Sequence, residues 1–143
     1  MPAEVPWEIR VTLRPGAVYY FQHRELTSAE PHYFVVVNTD PLGDQLLLMA
    51  VASSKLESVR QRRRNLPPET LVEISHDDYD EFPKQSIVDC NKVFRKSVAE
   101  LVEDWRWGVV KPKKDLPQEL LIRIQAGVRM SPLVEEEVKA LIR

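Results

Sequence analysis

The chain has 143 residues, with 20 Lys and Arg against 22 Asp and Glu for a formal net charge of -2, and 43% of it is hydrophobic. These figures, with Cys90 as the one cysteine, exclude a two-domain enzyme on a large cofactor fold, a collagen-like or low-complexity chain, and a disulfide-stapled mini-protein. Balanced charge argues against a uniformly basic nucleic-acid binder and leaves a local cationic surface open.

A single domain over residues 1–143 is expected, and a chain of this size buries roughly two-thirds of its unfolded surface without needing a metal or a disulfide. The first ten residues carry Glu4, Pro6, Glu8 and Arg10 where a secretory leader needs an apolar run. The longest apolar runs, Tyr33 to Val37 and Leu46 to Ala52, are far shorter than the roughly 20 residues that span a bilayer. The expectation is a soluble cytoplasmic protein with no membrane partner.

After the turn Arg14-Pro15-Gly16, Ala17 to Phe21 has the aromatic and β-branched content of a strand. Tyr33 to Asn38 reads as a strand buried on both faces or crossing a small barrel. Asp40-Pro41-Leu42-Gly43-Asp44 reads as a turn, and Leu46 to Ser53 completes a hairpin. Residues 54–66 hold five cations, Lys55, Arg60, Arg62, Arg63 and Arg64, against Glu57 alone. Thr70 to Ile74 resumes a strand, and Asp77, Asp78, Asp80 and Glu81 mark a solvated tip that lacks the spacing of a calcium loop. Ser86 to Cys90 is the next strand, extended by Lys92 to Phe94 beyond a bulge at Asn91.

From Ser97 the hydrophobic period changes from two to about 3.6, and Ser97 with Glu100 spells a capping box that opens a short helix through Trp105. Gly108 to Lys111 reads as an edge strand before Pro112. Leu120, Leu121, Ile124 and Val128 share one face of a helix that opens after Pro117, and Ser131-Pro132 opens a final amphipathic helix. The pieces predict an α+β domain: a small, strongly bent antiparallel sheet or barrel over residues 13–111, with helices appended over 112–143. His23, His32, His76 and Cys90 show no zinc spacing, and no phosphate-binding glycine loop or nucleophile elbow occurs. No metal and no cofactor is expected.

The order of Arg14 to Phe21, Tyr33 to Asn38, Leu46 to Ser54, Ser86 to Val93 and Ser97 to Leu101 resembles the PemK/MazF toxin family. That resemblance covers roughly residues 13 to 105 and implies an SH3-like antiparallel β-barrel that dimerises. It implies a metal-independent endoribonuclease on single-stranded RNA, in which the 2'-hydroxyl of the substrate attacks the adjacent phosphate. It further implies an arginine just before the second strand, where this chain has Pro31 or His32, and a Ser or Thr after the third, where it has Ala52 or Ser53. An imidazole at position 32 supplies acid-base chemistry near neutrality but not a bidentate phosphate clamp. The candidate catalytic pair is therefore His32 and Ser53. His23, Arg24, Ser54, Arg60, Arg62, Arg63 and Arg64 are candidates for contact with RNA or with the acidic segment of an antitoxin, which shares the RNA groove in the family. The alternative is a non-catalytic SH3-like module that binds an acidic peptide or nucleic acid without cleavage.

Overall fold

A computed structural model describes residues 5–26 and 29–143. Glu4, used above against a leader, lies outside the described residues. Six strands, β1 (Val18–Phe21), β2 (His32–Val36), β3 (Leu46–Ser53), β4 (Leu71–Ile74), β5 (Ser86–Ser97) and β6 (Lys111–Lys113), form one antiparallel sheet in the order β4-β5-β3-β2-β1-β6. Six helices complete it: α1 (Trp7–Thr12), α2 (Pro41–Asp44), α3 (Leu56–Arg62), α4 (Val98–Arg106), α5 (Gln118–Met130) and α6 (Glu136–Lys139). None is long and apolar enough to cross a membrane.

The sheet is open, which corrects the expected closed barrel. β4 and β6 stand at opposite edges and no ladder joins them. Closure is unnecessary because helices bury both faces. Successive residues of a strand point to opposite faces, so Phe34 and Val36 enter one core while Val35 and Val37 enter the other. The first core packs Ile9 of α1 and Val98, Leu101 and Val102 of α4 against Tyr19, Phe21, Leu47, Met49 and Phe94. The second packs Leu120, Leu121, Ile124 and Val128 of α5 against Val35, Leu48, Val88 and Cys90. An unbroken apolar run such as 33–37 is what a central strand covered on both faces requires.

Several expectations hold in detail. Ser97 Oγ accepts from the Glu100 amide at 3.0 Å, and Glu100 Oε1 accepts from the Ser97 amide at 3.1 Å, which is the capping box that opens α4. The expected irregularity near Asn91 is a wide bulge: Met49 pairs with Phe94 and Val51 with Asp89, so residues 90–93 all face Ala50. The expected final helix shortens to α6, because Ser131 is the C-cap of α5 and the N-cap of α6 is Glu135. The Ser131 hydroxyl donates to Asn91 Oδ1 at 2.7 Å and accepts from the Leu133 amide at 3.2 Å. Two further helices, α1 and α3, form in segments to which the sequence pattern assigned no element, and the turn at Asp40 winds into α2, capped by Asp40 on the Gly43 amide.

Candidate functional site

The hairpin of β2 and β3 determines what stands at its open end. Tyr33 is paired with Ala52 in the last registered step of the β2–β3 ladder, so His32 and Ser53 lie one step further out, where they end their strands still paired with Phe21 of β1 and Ile87 of β5. A pocket of about 300 Å³ opens there, lined by His32, Ser53, Ser54, Lys55, Tyr20, Tyr33, Glu30 and Lys84 among others. It lies at the lower end of the volumes typical of small-ligand sites. Tyr20 pairs with Tyr33 across β1 and β2, and their rings stand 4.5 Å apart. Burial, with Tyr20 and Glu81 adding to it, raises the Tyr33 phenol above its ordinary range, so it is a neutral donor at physiological pH.

His32 Nδ1 lies 3.0 Å from the Glu30 carbonyl oxygen. A carbonyl only accepts, so Nδ1 is the donor and the neutral ring keeps its lone pair on Nε2. Ser53 Oγ accepts from the Lys55 amide at 3.1 Å, which leaves its own proton available to donate. Among the described residues neither Lys55 nor Lys84 is in an ion pair, and Glu30 is the acidic residue that lines the pocket with them. The site thus brings together an imidazole, the Ser53 and Ser54 hydroxyls, two ammonium groups, two tyrosines and Glu30.

The remaining predicted residues are placed elsewhere. Arg60 donates to Glu57 at 2.6 Å and to Glu73 at 2.5 Å. Arg63 Nε donates to Asp89 Oδ2 at 2.9 Å, with Arg62 at 3.7 Å from the same oxygen. Arg64 donates to the Gln61 carbonyl at 3.3 Å, and Arg24 pairs with Glu100 at 3.3 Å. None of the five lines the pocket of His32 and Ser53. His23 is 5% exposed and set among Phe21, Phe34 and Phe94. Its Nδ1 accepts from the Glu25 amide at 3.1 Å, so Nε2 carries the proton and donates to the Arg95 carbonyl at 3.1 Å. Both ring nitrogens are already used.

Arg63 instead joins a largely buried network through Asp89. Asp89 Oδ1 accepts from the Asn91 amide at 3.0 Å and from Asn91 Nδ2 at 3.1 Å; Nδ2 also donates to Thr70 Oγ1 at 2.9 Å, and Ser131 donates to Asn91 Oδ1. This chain of bonds ties α3, β5 and the end of α5 together.

No protein-family model and no curated protein matches the chain. What the site does must therefore be argued from its own chemistry. Sequence reasoning missed Tyr20, Tyr33 and Lys84 as pocket residues. The signal for Tyr20 was that alternation along β1 places it opposite the fully buried Tyr19 and Phe21. Lys84 arrives from a loop with no local signature.

Proposed function

We propose that the chain binds single-stranded RNA at the end of the β2–β3 hairpin and cleaves it without a metal. The observation that carries this reading is the convergence of His32 and Ser53 with the Tyr20–Tyr33 pair in one pocket flanked by Lys55 and Lys84. A base stacks on the exposed part of the tyrosine pair, as single strands do on aromatic faces. The adjoining phosphate lies between the two ammonium groups and accepts from the Ser53 hydroxyl. His32 Nε2 takes the proton of the 2'-hydroxyl while its oxygen attacks phosphorus. The bond to the 5'-oxygen breaks, solvent protonates that oxygen, and a 2',3'-cyclic phosphate remains. The donors stabilise the charge that builds on the phosphorane, the role preorganised dipoles perform best.

A second reading has an observation of its own. No arginine lines the pocket, and Arg60 and Arg63 are neutralised by Glu57, Glu73 and Asp89. The ammonium groups then hold an acidic peptide or a nucleic acid without cleavage. Incubating a long single-stranded RNA with the protein in EDTA and analysing the product ends separates the two. Under the first reading the protein yields cyclic phosphate ends, and His32→Ala slows cleavage by about 10²–10⁴-fold, the range of a lost general base. Ser53→Ala slows it as well. Intact RNA that is nevertheless retained by the folded protein supports the second reading instead.

A further inference from the structure

The tyrosine pair at the hairpin end belongs to a longer row. Tyr33 stands opposite Ala52 of β3 on one side and opposite Tyr20 of β1 on the other, and Tyr20 stands opposite Lys111 of β6. Residues directly opposite each other in neighbouring strands share a face of the sheet, so Ala52, Tyr33, Tyr20 and Lys111 line up across four strands. The next row on that face, Ala50, Val35 and Val18, is sealed into the core that α5 covers. The tyrosine row lies at the margin of that cover: Tyr20 and Tyr33 are half-buried and Lys111 is exposed. Lys113, opposite Val18, leans back toward Tyr20, its Nζ 5.8 Å from the ring centre and inside the range of cation–π attraction.

A second cavity, of about 430 Å³, opens beside Tyr20 on the side of β6. Its volume is within the range of small-ligand sites. Tyr20 and Pro31 border both this cavity and the pocket of His32 and Ser53, so the two spaces meet along a shared wall. Val109, 58% exposed, gives the second cavity an apolar surface turned outward. Lys111 gives it charge, and among the described residues that ammonium is in no ion pair. Asp104, the acid among its lining residues, is already held by the Lys96 ammonium.

Cations therefore flank the aromatic row at both ends. Lys55 after β3 and Lys84 before β5 stand beyond Tyr33, while Lys111 and Lys113 of β6 stand beyond Tyr20. Ring faces set between ammonium groups match a single-stranded nucleic acid, in which bases and phosphates alternate. An acidic peptide would use the ammonium groups and leave the rings and Val109 idle.

We infer that a single strand held at the hairpin end continues over Tyr20 into this second cavity, an extension that rests on the RNA reading above. Lys111 and Lys113 take the phosphate of a further nucleotide, and Pro31 and Val109 face its base. The length of strand that the protein recognises then exceeds the step at which it cuts.

Fluorescence anisotropy with 2'-O-methyl oligonucleotides tests this on the full chain, because they carry no free 2'-hydroxyl to attack and stay intact. A dinucleotide and a hexanucleotide of one base are titrated at several salt concentrations. The hexanucleotide is expected to bind about tenfold more tightly, the size of one further stacked base. Lys111→Gln removes most of that advantage and lowers the salt slope of the hexanucleotide by about 0.7, the share of one phosphate on a single strand. The same variant leaves the dinucleotide unchanged, and Lys113→Gln acts in the same direction as Lys111→Gln. Lys111 is exposed, so the substitution keeps the urea midpoint of the original protein. A hexanucleotide that binds no more tightly than the dinucleotide, or that keeps its advantage in Lys111→Gln, overturns this inference and leaves the hairpin site standing. Failure of both oligonucleotides to bind overturns the two readings together. Binding of an oligoglutamate that depends on Lys111, with none of the hexanucleotide, gives the cations to an acidic peptide and overturns the inference as well.

Discussion

Two polar clusters of this protein draw on the same residue types and come to opposite ends. Around Asp89, Arg63 Nε, Asn91, Thr70 and Ser131 meet one another in a largely buried space. Around His32, a ring nitrogen, a serine hydroxyl and two ammonium groups border a pocket, and among the described residues no ion pair takes up either ammonium. The first arrangement consumes its polarity in holding elements together, and the second keeps it for something that comes from outside. Cation density in the sequence points to the first cluster, yet availability belongs to the second.

The contrast is broken most severely at Asp89. Asp89→Ala leaves Arg63 without its buried acceptor and strands the Asn91 donors, and loss of one member of such a pair costs about 3 kcal/mol or more. Urea denaturation is expected to show that loss, while RNA retention by the folded fraction stays unchanged. A milder probe addresses the open cluster: Lys55→Ala and Lys84→Ala each lower the salt dependence of RNA retention by about one unit of slope, with little change in stability. Arg62→Ala lowers it by much less, since its charge is already set against Asp89.

The smallest effect belongs to the capping box at Ser97, which is only half sealed. The Glu100 carboxyl is held below its ordinary range chiefly by the Ser97 amide. A carboxylate whose acidity increases on folding adds stability above its unfolded value near 4.3 and forfeits it as pH falls through the folded value. Melting curves recorded down through pH 4 are expected to show a decline that Glu100→Gln lacks, and Ser97→Ala costs about 1 kcal/mol at neutral pH.

Local features of this fold were legible and long-range ones were not. The capping box needs only Ser97 and Glu100 three positions apart, and the bulge at Asn91 shows as a break in alternation between Cys90 and Val93. Alternation says which residues share a face but not whether the two edges of the sheet meet. That is why a closed barrel was expected where the sheet stays open. Ser131-Pro132 has the form of a helix start, but its hydroxyl is claimed by Asn91, forty positions away in sequence. His32 and Ser53 were named together from the positions that the family resemblance implies, whereas Tyr20 and Lys84 reached the pocket through tertiary placement that no local pattern encodes.

The bulge divides β5 into halves with different neighbours. Residues 86–89 are clasped between β4 and β3, while 94–97 have β3 on one side only. On the other side the Arg95 carbonyl is met by the His23 imidazole, a side chain standing where the amide of a further strand would be. One continuous strand should therefore keep two clocks in deuterated water. Amides before the bulge exchange only when the whole sheet opens, and those after it exchange on the shorter excursions in which His23 lets go.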